Sequence, residues 1–274
     1  NGSLEIIKKI GAIKDININQ VNEDGNTILH KESVLRNREL AILLMEMGAN
    51  PTISDKKGKN FLFYAVTKGI ENLPIIEKAV RLNYNINTKS MQNTTLLMES
   101  ITCLLNTPKE NEELRNNHLE MAKELMRLGV NVDSVDDKNE NAFFLATRSE
   151  DRELITTFLD NCKINLNREN NDGETVLSIL VINGIRNNDL IKLYLSKGAD
   201  PILENKFGKS IIEILIDIIL YSENRKPLDF EYEILLNEDA EYATVLENIL
   251  RNCNIDINKY NSKGEPLFFD AILH

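Results

Sequence analysis

Asn22-Glu-Asp-Gly25-Asn-Thr27-Ile-Leu29-His30 opens a stretch that closes on Gly48-Ala49-Asn50-Pro51 and begins again at Asp55. Gly25 can take the positive φ of a tight turn. Thr27, two residues on, supplies a hydroxyl able to cap the free N–H groups of a helix, and Leu29 is an apolar residue of that helix. The signal recurs six more times. Gly58, Asn93, Asn139, Gly173, Gly208 and Gly264 are followed two residues later by Asn60, Thr95, Asn141, Thr175, Ser210 and Pro266. Four residues after each turn come Leu62, Leu97, Phe143, Leu177, Ile212 and Phe268. Successive turn positions lie 33, 35, 46, 34, 35 and 56 residues apart. The chain is therefore one supersecondary unit of roughly 33 residues, repeated.

Each unit reads as helix, turn, helix, loop. The second helix is clearest in Leu40-Ala-Ile-Leu-Leu-Met-Glu-Met47, which is apolar over a broad face and stops at Gly48 with Pro51 close behind, the usual signature of a helix end. Leu125-Met-Arg-Leu-Gly129 and Leu193-Tyr-Leu-Ser-Lys-Gly198 end alike, and Asn83 and Asn254 take the place of glycine in two others. Lys163 breaks the pattern and predicts a looser end there. Asn85-Ile-Asn87, Asn131-Val-Asp133, Asn165-Leu-Asn167 and Asp256-Ile-Asn258 are too short for real strands and read as extended, finger-like loops.

On these residues the chain resembles the ankyrin-repeat family over essentially its whole length. The resemblance is carried by Asp24-Gly25-Asn-Thr27-Ile-Leu29-His30 with Gly48-Ala49-Asn50-Pro51, and by Asp172-Gly173-Glu-Thr175-Val-Leu177 with Gly198-Ala199-Asp200-Pro201. Only His30 keeps the family's histidine, which elsewhere becomes Phe63, Met98, Phe144, Ser178, Glu213 and Phe269. The small residue two places on survives as Ala65, Ser100, Ala146 and Ala271 but is Glu32, Leu180 and Leu215 in the other units. The resemblance implies an all-α solenoid of stacked units with projecting loops. It also implies a structural hydrogen bond between His30 and the Thr27 region, and binding to protein partners in general.

The array is expected to run through the whole of 1–274, with about five complete units and partial or divergent ones besides. Its units are 22–54, 55–88, 89–135, 136–169, 170–204 and 205–260, with partial units at 1–21 and 261–274. Leu4 to Ile13 reads as the second helix of the first of these. Leu267, Phe268, Phe269, Ile272 and Leu273 lack the polar face of a terminal cap, so the chain reads as an excerpt of a longer protein, and Asn1-Gly2-Ser3 reads as a cloning remnant. The two long intervals hold insertions, in the third and sixth full units, at about 106–117 and 222–241. Each reads as a solvated loop or a lengthened helix pair, and the second, rich in Glu and Asp, also as an acidic contact for a basic partner.

Composition excludes several classes. The chain is 42% apolar and 27% charged, with net charge −11, so general attraction to nucleic acid or anionic membrane is disfavoured. No apolar run of membrane-spanning length exists; Ile211 to Tyr221 is interrupted by Glu213 and Asp217. Cys103, Cys162 and Cys253 are far apart, form no metal-ligand pattern, and read as small buried hydrophobes in a reducing, cytoplasmic compartment.

A catalytic constellation is not visible: His118 falls in the polar insertion or just before a helix, His274 is terminal, and the glycines recur once per unit rather than in a phosphate loop. The expectation is a monomeric protein-binding scaffold, not an enzyme, without cofactor, metal or small-molecule substrate. Its partner contacts are expected at the loop tips and the concave first-helix face. The tips are Asp24, Lys57, Gln92, Lys138, Asp172, Phe207 and Lys263, and the partner presents a basic patch. Phe207 reads either as an anchor or as a ring folded back on its own finger. The alternatives are the substrate-selecting part of a larger enzyme, a purely structural stretch of solenoid, or, since Asn, Ile and Lys are abundant as in an AT-rich bacterial genome, a host-directed bacterial effector.

Overall fold

A computed structural model describes residues 16–182, 188–222 and 239–252, together with positions 5, 7, 9, 260, 264 and 266. Most of Leu4 to Ile13, the stretch 223–238, Cys253, Asn254, Lys263 and 267–274 lie outside the described residues. The described chain is helical, with no strand among the described residues and three isolated bridges, such as Ser54 to Asn60, at the necks of fingers. It divides into two compact units, Asn1–Asp137 and Lys138–His274.

In the first unit α1 (Glu32–Leu35) and α2 (Arg38–Glu46) form one pair, α3 (Phe61–Val66) and α4 (Leu73–Arg81) the next, and α5 (Leu96–Asn106) and α6 (Glu112–Arg127) the third. The second unit has α7 (Ala142–Ser149) with α8 (Arg152–Asn161), α9 (Val176–Ile182) with α10 (Asn188–Ser196), and α11 (Ile211–Ser222) with α12 (Asp239–Asn252). The apolar column is the core of both units: Leu29, Leu62, Leu97, Phe143, Leu177 and Ile212 are each no more than 1% exposed. Truncating one such Leu to Ala removes about 2–5 kcal/mol. In the second unit Phe143 meets Phe158 edge-on at 5.4 Å and Tyr194 at 5.5 Å. The otherwise costly Tyr194 hydroxyl is satisfied by Thr147 Oγ1 at 2.9 Å.

The helix starts fall where the cap column predicts. Asn60 Oδ1 accepts from Leu62 N–H at 3.0 Å, Thr95 Oγ1 from Met98 at 3.3 Å, Asn141 Oδ1 from Phe143 at 3.1 Å, Thr175 Oγ1 from Ser178 at 3.2 Å, and Ser210 Oγ from Glu213 at 3.3 Å. The helix stops agree as well. Gly48, Asn83, Gly129 and Gly198 all have positive φ, and the next residue closes the last turn, as Ala49 N–H does on Leu44 O at 2.9 Å. The end at Cys162 and Lys163 differs, as expected: Cys162 is extended rather than left-handed, and its N–H bonds Phe158 O at 2.9 Å.

Three expectations need correction. The first helix after Thr27 is broken into a 3-10 turn, Ile28–His30, and α1, with Lys31 extended between them. Glu32 stands where other units place a small residue; too large and charged to be buried there, it turns outward and pairs with Arg36 at 2.6 Å. Secondly, His118 falls neither in the insertion nor just before a helix, because of the two readings of the 106–117 stretch the structure has the lengthened helix pair. Asn111 Oδ1 caps α6 by accepting from Leu114 N–H at 3.2 Å, and Glu112 and Glu113 sit in its first turn, where carboxylates favour the helix. His118 is therefore a buried residue inside α6 rather than part of a loop. Thirdly, Cys103 and Cys162 are half-buried, not buried.

Candidate functional site: the finger tips

The fingers are built by a column of acceptors three residues before each turn residue. Asn22 Oδ1 accepts from Asp24 and Asn26 N–H at 3.0 and 2.9 Å, Asp55 Oδ1 from Lys57 and Lys59 at 2.8 and 3.0 Å, and Ser90 Oγ from Gln92 and Thr94, both at 3.2 Å. In the second unit Asn170 Oδ1 accepts from Asp172 and Glu174, both at 2.9 Å, and Asn205 Oδ1 from Phe207 and Lys209 at 2.9 and 3.1 Å. One side-chain oxygen thus ties both N–H groups that a tight turn would leave to water.

Neighbouring fingers are joined through backbone. Lys56 N–H donates to Asp24 O at 3.0 Å and Asp137 N–H to Gln92 O at 3.2 Å; in the second unit Asn171 N–H donates to Lys138 O at 2.9 Å. Gly58 is needed twice over. Its φ is +71°, and a Cβ there would lie 2.6 Å from Met91 N. Where asparagine replaces glycine, its side chain reaches to the next finger instead. Asn93 Nδ2 donates to Asp137 Oδ1 at 2.6 Å, and Asn139 Nδ2 to Glu169 O at 2.8 Å. A second ladder runs through the loops after the second helices. Asn19, Asn87 and Asn167 each accept through Oδ1 from a backbone N–H of the following unit, at Asn50, Asn131 and Asp200, at 2.7, 2.7 and 2.8 Å.

On this frame the structure brings Asp24, Lys57 and Gln92 together on three adjoining fingers of the first unit. Lys138, Asp172 and Phe207 stand on fingers of the second, and Lys263 lies outside the described residues. All six described tips are exposed. Phe207 is 50% exposed, with the Lys206 ammonium 5.0 Å from its ring centroid and 3.3 Å from Asp172 Oδ1.

Beneath the tips lies a polar layer that sequence reading missed. Tyr64 donates its hydroxyl to Asp55 Oδ2 at 2.5 Å, and Lys59 pairs with Glu99 at 2.6 Å. Burial would raise the Asp55 carboxyl, but the Tyr64 hydroxyl and the Lys59 and Lys57 N–H groups hold it below the usual range. In the second unit Glu140, 3% exposed, is gripped by both Arg148 nitrogens at 2.6 Å, and Asn170 Nδ2 donates to it at 2.8 Å. Its burial, which would raise the carboxyl, is outweighed by these bonds and the Arg148 charge. The legible signal was the Asn22, Asp55, Ser90, Asn170, Asn205 column at a constant offset from the turns.

The pKa shifts in and around this layer follow from its burial and hydrogen bonds. Burial and the Asp55 bond push the Tyr64 hydroxyl up to about 12, and burial pushes the Cys103 thiol up to about 11, opposite to the direction that makes a nucleophile. His30 accepts through Nδ1 from Thr27 N–H at 3.1 Å, the structural bond the resemblance implied. Burial lowers its pKa against opposing contributions from the Lys59 backbone and Asp55. Among the described residues no group of three or more His, Cys, Asp or Glu could hold a metal ion, and no helix is long and apolar enough to cross a membrane.

Comparison with known proteins agrees with this architecture. Residues 113–205 match a family model described as ankyrin repeats, in 3 copies. A stretch of 77 residues, 26% of the chain, is 38% identical to the ankyrin repeat protein YahD of Escherichia coli (strain K12), and the match spans 38% of that relative. The fold resembles a chain from the complex of the predatory endopeptidase Bd0816 of Bdellovibrio bacteriovorus with immunity protein Bd3460. That match has a TM-score of 0.57 and 20% identity, covering 84% of this chain and 99% of that one. It also resembles the ankyrin repeat domain of Bcl-3, of the IkappaB family, with a TM-score of 0.60 and 17% identity, over 78% of this chain and 86% of that one. The family match identifies residues 113–205 as ankyrin repeats, and the recurring caps and fingers, with the shared fold, carry the same all-α repeat architecture through the described residues of both units.

Proposed function

We propose that the chain is a monomeric protein-binding scaffold with no reaction of its own. It grips a partner through exposed finger-tip side chains and the adjoining first-helix residues of each unit. One observation carries this reading: the tips are exposed on backbone that their own cap residues already hold in place. A partner therefore meets a preorganised surface, and binding loses little to loop ordering. Specific complexes of this kind bury about 1,600 Å² in total, which needs several fingers rather than one.

Charge sorts the partner's chemistry. The second unit has 15 basic and 24 acidic residues, a net charge of −9, against 17 and 19, net −2, in the first. A basic partner surface suits the second unit, with Phe207 as an aromatic anchor. Nucleic acid and anionic membrane do not suit it. Among the described residues no disulfide joins Cys103 or Cys162, which suits a reducing cytoplasm.

The test is capture of a partner from lysate with the wild-type chain, then with Phe207→Ala and Lys57→Glu, helicity being monitored in parallel. Weaker capture at unchanged helicity supports the reading. Equal capture by both variants places the binding surface away from the fingers.

A further inference from the structure

The tips of the first unit follow an ordered chemistry. Glu23 and Asp24 stand on the first finger, Lys56 and Lys57 on the second, Met91 and Gln92 on the third, and all are exposed. The fingers touch in that order. Lys56 N–H bonds Asp24 O, and Met91 lies over Gly58, its Cγ 2.3 Å from where a Cβ would stand. Met91 is 67% exposed, an unusual placement for an apolar side chain beside two ammonium groups. Lys31, in the first-helix place that Tyr64 fills in the next unit, is exposed as well.

Three neighbouring acids, Asp55, Glu32 and Glu99, are already engaged, while Glu23 and Asp24 stay exposed on the first finger. Asp55 Oδ1 accepts from two backbone N–H groups and Oδ2 from the Tyr64 hydroxyl. Glu32 pairs with Arg36 at 2.6 Å and Glu99 with Lys59 at 2.6 Å. Lys31, Lys56 and Lys57 are exposed, and among the described residues none of their ammonium groups has an ion-pair partner.

We propose that this surface receives an extended acidic segment of the partner. Its carboxylates lie over Lys31, Lys56 and Lys57, and an adjoining apolar side chain packs on Met91. Glu23 and Asp24 repel the acidic stretch from the first finger and so set its position. Single exposed ion pairs are weak in water, but several in register steer encounter and fix orientation. This inference rests on the fingers being the binding surface, and the chemistry is opposite to the basic surface suited to the second unit.

The test is selection from a random-peptide library displayed on phage against the whole chain, followed by affinity measurement on the Lys56→Glu/Lys57→Glu and Met91→Glu variants. The expected peptides carry an excess of Asp and Glu with an apolar residue next to it. Their affinity falls about tenfold or more on charge reversal and as salt rises. Peptides that lose binding in Met91→Glu but carry no acidic excess overturn the inference and leave the finger reading standing. Peptides that bind the wild type and both variants equally overturn both, and a selection that enriches none overturns the inference.

Discussion

Gly69→Ala tests how the third repeat of the first unit leans on the second. Gly69 lies in the turn between α3 and α4 with φ +78°, and an added Cβ would sit 1.7 Å from Asn117 Oδ1 and 2.7 Å from its Cγ. That Oδ1 accepts from Ile70 N–H at 2.6 Å, so the new methyl group must expel the side chain that holds the turn. The left-handed backbone costs an alanine about 1 kcal/mol, and losing the hydrogen bond adds about 1–2 kcal/mol, for a total of about 2–3 kcal/mol. Gly48→Ala is the control. Its φ is +96°, but no atom lies within 4 Å of the added Cβ, so only the backbone cost of about 1 kcal/mol applies. Urea unfolding followed by circular dichroism gives both values, and Asn117→Ala closes a double-mutant cycle. Since Asn117→Ala already removes both the clash and the bond, the two substitutions together should cost about 1–2 kcal/mol less than their sum. Equal losses for Gly69→Ala and Gly48→Ala, or strict additivity with Asn117→Ala, would refute this reasoning.

Two further outcomes concern stability. Glu150 occupies the same turn column as Gly69 with φ +53°, so Glu150→Gly should stabilise the chain by about 0.5–1 kcal/mol; an unchanged or lower urea midpoint counts against it. His118 is buried with no partner for Nδ1, and burial lowers its pKa below 6.5, as it does for His30. A lowered pKa means the unfolded chain takes up protons first. Stability is therefore full above pH 6.5 and drops as pH falls from there through the lower folded values. His118→Leu should lose less over that range; urea midpoints identical from pH 7.5 to 5.5 in the wild type would count against the assignment (the range brackets the ordinary histidine value of about 6.5).

The fold was legible wherever one residue type answers a local demand. A left-handed turn accepts glycine or asparagine, a helix start asks for a side-chain oxygen, and a shared core needs one large apolar group per unit. Gly25, Thr27 and Leu29 state all three, and the structure repeats them in both units. The polar layer was harder to see. Glu140 is buried with Arg148, in the last turn of α7, and Asn170, in the next finger, converging on it, and since Glu140 itself lies outside the helix no periodic pattern marks the three as neighbours. The 106–117 stretch stayed open between a loop and a lengthened helix pair because its residues are polar. Asn111, Glu112 and Glu113 are as much a helix start as a loop, and length alone does not decide between them. Glu32 was visible as a departure from its column, but its consequence, a broken first helix, needed the neighbouring units in place.

The finger caps bear on how such a surface changes over generations. Asn22, Asp55, Ser90, Asn170 and Asn205 fix each turn through backbone N–H groups, so the fold makes little demand on the two side chains that follow. Glu23 and Asp24, or Lys56 and Lys57, can be exchanged by single codon changes while the turn beneath them stays as it is. A lineage can thus rewrite its partner preference one unit at a time, and each intermediate still folds.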